Sequence, residues 1–119
     1  MIVTVRITKT FRIAAKPLLK KYHSLSKDLL LLEQELISSP RTGTPLGQDV
    51  YKIRLKITSK GKGKSGGARV ISFVETIVVN TTGPAKECTV NLLTIYDKTD
   101  VDNISDKEIK DLIRNYRTE

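Results

Sequence analysis

From Tyr51 to Ile57 apolar and cationic residues alternate without a break, with Tyr51, Ile53, Leu55 and Ile57 set against Lys52, Arg54 and Lys56. A period of two belongs to an extended strand, because successive side chains leave a pleated backbone on opposite sides. One side of this strand is built for burial and the other lines up three positive charges. The chain is therefore expected to contain a sheet covered on one face and cationic on the other, at least along this strand.

The same stretch continues into a glycine-rich loop and a further apolar strand. Between Tyr51 and Val74 there are seven cations (Lys52, Arg54, Lys56, Lys60, Lys62, Lys64 and Arg69) and no acid. The whole chain of 119 residues has a net charge of +8. Residues 1–27 form a second basic block, with seven cations and no anions, while residues 28–49 and 75–119 are each mildly acidic. Two separate positive blocks suggest one or two binding faces for a polyanion. A merely soluble surface accounts poorly for so long a window without an acid.

The length suits one domain with a single core. No signal peptide is expected, since the first residues alternate polar and apolar, and the longest apolar run, Leu29–Leu32, is far short of a membrane span. One cysteine, Cys88, excludes an internal disulfide, and one histidine, His23, leaves no Cys/His metal set. The expectation is a cytoplasmic protein without metal or other cofactor.

Ile2–Ile7 reads as a first strand, rich in β-branched residues. From Thr8 or Thr10 the spacing becomes helical, through Phe11, Ala14, Leu18, Tyr22 and Leu25, with Pro17 expected to kink or delay the helix. A second helix over about Ser26–Ile37 uses Leu25, Leu29, Leu32 and Leu36, and its off-stripe Leu30 and Leu31 predict apolar partners on a further side. Ser39–Gly47, with two prolines and two glycines, reads as a loop. Strands follow at Asp49–Ile57, Ala68–Asn80 and Glu87–Tyr96, with a mobile loop at Ser59–Gly67 and a hairpin turn around Asn80–Ala85. Ser105 with Glu108 forms a capping box, and Ile104 with Ile109 a hydrophobic staple, for a last helix faced by Ile109, Leu112, Ile113 and Tyr116. The expected class is α+β in the order β-α-α-β-β-β-α, an antiparallel sheet against two N-terminal helices with a C-terminal helix, all in one domain over 1–119.

Hydrolytic triads are absent: His23 has no motif around it, and Cys88 opens an apolar strand. Gly63-Lys64-Ser65 hints at a phosphate-binding P-loop, but a glycine pair and a strand follow where that loop needs a helix. RNA cleavage by the ribose 2′-OH is a better chemical fit, because it asks for positioning, proton transfer and neutralisation of phosphorane charge. Lys52, Arg54, Lys56 and Arg69 on neighbouring strands, with Tyr96 and Lys98 at the end of the fourth, are suited to that work. Simple binding of RNA or DNA by the same cations stands beside it.

The segments Ser39-Pro40-Arg41, Gly43–Gly47, Tyr51–Leu55, Ser59–Ile71 and Leu93–Lys98, with the capped last helix, together resemble the RelE/HigB superfamily of toxins from type II toxin–antitoxin modules. The run SKGKGKSGGARVI after KIRL is similar to a HigB-like branch. The resemblance implies a sheet with helices on one side and ribosome-dependent, metal-free cleavage of messenger RNA in the decoding site. It places the family's basic active-site positions on Lys52, Arg54 and Arg69, and more loosely on Lys98. It makes Tyr96 the proton-transfer candidate and gives Lys56, Lys60, Lys62 and Lys64 to ribosomal or messenger RNA backbone. Where relatives often have a tyrosine on the third strand this chain has Phe73, which can stack on a base but has no proton to give. A cognate antitoxin is implied as partner, and operator DNA only through the antitoxin complex, with no membrane. The alternatives are a ParE-like gyrase inhibitor on the same fold, a non-catalytic module bound to RNA or the ribosome, or a decayed toxin.

Overall fold

Thr8 ends the first strand and starts the first helix. Its side chain accepts a hydrogen bond from the Phe11 N–H at 3.2 Å and donates one to the Leu92 carbonyl at 2.8 Å, so a helix cap is bolted to a distant strand. The computed structural model describes residues 2–61, 63, 66–78, 86–100 and 103–119. Its elements are β1 (Ile2–Ile7), α1 (Lys9–Lys21), α2 (Leu25–Ser38), β2 (Thr44–Gly47), β3 (Val50–Leu55), a short 3₁₀ turn (Thr58–Lys60), β4 (Ala68–Val78), β5 (Lys86–Asp97) and α3 (Asp106–Arg117). The turn expected around Asn80–Ala85 lies outside the described residues, but β4 and β5 pair antiparallel on either side of it.

The mixed α/β class holds, and the order and pairing differ from expectation in three ways. First, the sheet has five strands in the order β1-β5-β4-β3-β2. The extra one, β2, falls inside the stretch read as a loop. It pairs with β3 through a two-residue turn at Gln48 and Asp49, both with positive φ (53° and 64°), a conformation that matches the twist of a hairpin. All four β2 residues are exposed, so no alternation betrays them.

Second, the sheet is not wholly antiparallel. β1 runs parallel to β5, the last strand in the chain, because α1 and α2 carry the chain back across the sheet between β1 and the antiparallel strands. Third, the helices lie on both faces. Phe11, Ala15, Leu18, Leu25, Leu32 and Leu36 of α1 and α2 pack with Ile53, Leu55, Val70, Val74, Val90 and Leu92. Ile109 of α3 packs on the other side with Val50, Ile71, Phe73 and Leu93, and Ile104 and Tyr116 close that cluster.

α1 runs unbroken through Pro17, which sits on the exposed side, where water can serve the Ile13 carbonyl that a proline nitrogen cannot. Leu30 and Leu31, expected to find partners, are 58% and 56% exposed. The α3 capping box forms as read, Ser105 accepting from the Glu108 N–H at 3.2 Å. No helix among the described residues is long and apolar enough to cross a membrane.

Candidate nucleic-acid interface

Register places three chemistry-bearing side chains in one line. Arg54 on β3 lies opposite Arg69 on β4, and Arg69 lies opposite Tyr96 on β5. The next rung is Lys52, Ile71 and Thr94. Ile53, Leu55 and Val70 point into the core under α1 and α2, so their neighbours Lys52, Arg54 and Arg69 take the α3 face. Tyr96 joins them because of an irregularity: Ile71 pairs with Thr94 but Ser72 pairs with Leu92, leaving Leu93 as an extra residue. Leu93 and Tyr96 are three apart, yet both pack in the α3-side cluster. Without that bulge the tyrosine would face the other way.

Two arginines directly opposite each other cost a sheet stability, since like charges repel across the ladder. Arg54 is exposed, whereas Arg69 is only 5% exposed and its Nη1 donates to the Ala68 carbonyl at 3.1 Å. Burial pulls the Arg69 pKa below its ordinary value, Arg54 pulls it further, and Tyr96 resists. The guanidinium nonetheless remains cationic at neutral pH. Burial also pushes the Tyr96 phenol upward, with Glu108 adding to that and Arg69 opposing it, so the phenol is protonated at neutral pH. Its oxygen is buried and has no hydrogen-bond partner among the described residues. The Tyr96 side chain borders a cavity of about 280 Å³ lined also by Thr94, Ile104, Glu108 and Leu112. The row thus offers fixed positive charge and one unused proton donor.

The other expected site residues are spread around this row. Lys52 is half-buried beside it, and its Nζ donates to Asn103 Oδ1 at 3.4 Å. Lys98 follows Tyr96 by two; its backbone N–H donates to the Gly67 carbonyl at 3.1 Å, tying the end of β5 to the end of the glycine loop. Gly67 itself has no room for a side chain, as a Cβ would stand 2.1 Å from the Leu55 carbonyl oxygen. Lys56, exposed, lies at the α2 edge, where its charge helps lower the Asp28 pKa.

Lys60 departs most from the reading of a free loop cation. Its Nζ meets Asp97 Oδ1 at 2.7 Å, with 10% and 0% of the two side chains exposed. Asp97 also accepts from Tyr22 Oη at 2.6 Å and from the Thr99 backbone N–H at 3.0 Å and hydroxyl at 2.8 Å. Burial disfavours the Asp97 charge, but these donors, Lys60 first, outweigh it and hold the carboxyl far below its ordinary range. Phe73 is largely buried: 8% exposed, edge-on to Tyr116 at 6.2 Å and with the Arg117 guanidinium 6.0 Å from its ring centre, it also borders a cavity of about 350 Å³ with Gln48, Asp49 and Lys110. Lys62 and Lys64 lie outside the described residues. Cys88 is buried and His23 exposed.

No local pattern announces the Asp97 network, whose members Tyr22, Lys60 and Asp97 are up to 75 residues apart. The i+3 spacing of Glu108 from Ser105 marks it as a cap and does not disclose that it also borders Tyr96. Compared with known proteins, the chain matches no family model and no curated sequence.

Proposed function

We propose that this protein is a toxin of the RelE/HigB kind that cuts messenger RNA on the ribosome. The observation that supports it most is the Arg54–Arg69–Tyr96 row: two cations held in opposition by sheet register, next to a protonated phenol with no partner of its own. Cations on adjacent strands with a phenol beside them are placed to meet the charge of a phosphate group and to supply a proton to it.

In the proposed step the ribose 2′-oxygen attacks the adjacent phosphorus and the bond from phosphorus to the 5′ oxygen breaks. The products are a 2′,3′-cyclic phosphate and a free 5′-hydroxyl. Arg54 and Arg69 balance charge on the pentavalent phosphorane, and Tyr96 gives its proton to the departing 5′ oxygen. The 2′-OH proton goes to water or a group of the ribosomal complex, since both arginines are cationic and Tyr96 is protonated. Contact with the phenol oxygen requires the groups that shield it to move aside, because the atom is buried. On this reading a cognate antitoxin restrains the protein, and operator DNA is met only through that complex.

The covered phenol favours a second reading, a non-catalytic module bound to ribosomal RNA through Lys52 and Arg54. Induced expression in bacteria with mapping of messenger 5′ ends separates the two. The nuclease produces in-frame cuts that fall by about 100-fold or more in Arg54→Ala and Tyr96→Phe. A binding module sediments with ribosomes, loses that association in Arg54→Ala and leaves messages whole. Intact messages with DNA damage would instead indicate gyrase inhibition.

A further inference from the structure

The first basic block, residues 1–27, plays no part in the row just described. On α1 it forms two parallel ridges, each with a four-residue repeat. Phe11, Ala15 and Leu19 make an apolar ridge, and Arg12, Lys16 and Lys20 a cationic one beside it. With Ile7 of β1 and Leu29 of α2 these residues wall a groove of about 410 Å³, with the α1 cations along one rim. Leu19 is 41% exposed and Ile7 42% exposed, while Phe11 and Ala15 are 2% exposed and form the floor. Ala15 leaves a dip in the ridge where an incoming side chain can seat.

We infer that this groove docks an acidic amphipathic helix of a partner protein. Charge complementarity selects the occupant. Residues 1–27 contain no acid, and among the described residues none of Arg12, Lys16 and Lys20 takes part in an ion pair. Eight residues from Arg12 to Lys20 span about 12 Å, so glutamates at a matching four-residue spacing on the partner would meet all three. Leucines on the adjoining face would fill the apolar ridge. RNA fits poorly, because the groove presents aliphatic walls and its one aromatic ring, Phe11, is buried beneath them, leaving no platform for base stacking. The site is on the opposite face of the sheet from Arg54, Arg69 and Tyr96, so it does not depend on the nuclease reading.

The test uses the full chain and a fluorescein-labelled designed helix, with leucines on one stripe and glutamates four residues apart beside it. Fluorescence anisotropy should show saturable binding that weakens about tenfold or more in Leu19→Asn and in the Lys16→Glu/Lys20→Glu double variant. Binding should fall as salt rises and remain unchanged in Arg54→Ala. A peptide of the same composition with its charges scattered should bind at least about tenfold more weakly. All substituted side chains are at least partly exposed, and thermal melts confirm that the variants fold. The inference is overturned if the designed helix does not saturate, if both groove variants bind it as wild type does, or if a single-stranded RNA oligonucleotide displaces it in a Lys16- and Lys20-dependent manner.

Discussion

The face of the sheet under α1 and α2 and the face under α3 are built to different standards. Among the described residues the first gathers sixteen buried apolar side chains, the second only five. On the first face the buried acids are fully engaged: Asp97 holds Lys60, Tyr22 and Thr99, and Asp28 accepts from Ser24 and from both the backbone and the hydroxyl of Thr58. Ser72 Oγ is the exception there. On the second face two arginines oppose each other and the Tyr96 hydroxyl has no partner. Stability is concentrated where groups are satisfied. On the α3 side the Tyr96 hydroxyl, buried with no partner among the described residues, is the group with most to gain from a ligand that provides one.

Core truncations should show the contrast most strongly. Leu36→Ala, at a fully buried position of the larger cluster, should lower unfolding free energy by about 4 kcal/mol, and Ile109→Ala under α3 by about 2 kcal/mol, in urea melts. Equal losses would erase the difference between the faces. Next comes Asp97→Asn, which should cost about 3 kcal/mol by leaving the Lys60 ammonium nearly buried and unpaired.

The same network predicts a pH dependence. Asp97 and Asp28 both have folded pKa values below the ordinary 3.8, so their contribution is complete above that value and is lost as the pH falls below it towards their folded values. Melts taken between about pH 6 and pH 3 should show this acid loss, and Asp97→Asn should flatten part of it. A wild-type profile that is flat in acid would remove Asp97 and Asp28 as the reason for the stability of this face.

On the α3 face the signs reverse. Tyr96→Phe should stabilise the fold by about 1 kcal/mol, since it removes a buried hydroxyl with no partner among the described residues, while the proposed nuclease function requires that messenger cleavage be lost with it. Smallest is Arg54→Ala, expected to stabilise by about 0.5 kcal/mol through relief of the cross-strand repulsion, again with loss of activity. A clear destabilisation in either variant would mean that this face is structural after all.

Much of the architecture was legible where a local rule governs it. The alternation from Tyr51 to Ile57 placed Lys52 and Arg54 on one face, and the Ser105–Glu108 spacing set the start of α3. β2 was hidden because its one proline and one glycine meet turn chemistry and neither side of it is buried. The parallel place of β1 was hidden because strand order depends on which distant edge is free, and no residue of β1 names its neighbour.

By itself the sequence determined how much charge there is, where it clusters and which residues alternate, since each follows from residues close in the chain. Only the tertiary structure decided which charges stay available. Lys60 was neutralised by an acid 37 residues away, and Phe73 was packed into the cluster under α3. Tyr96 was turned toward Arg69 by one extra residue at Leu93. These outcomes turn on long-range register and burial, which act between segments that the order of residues does not bring together.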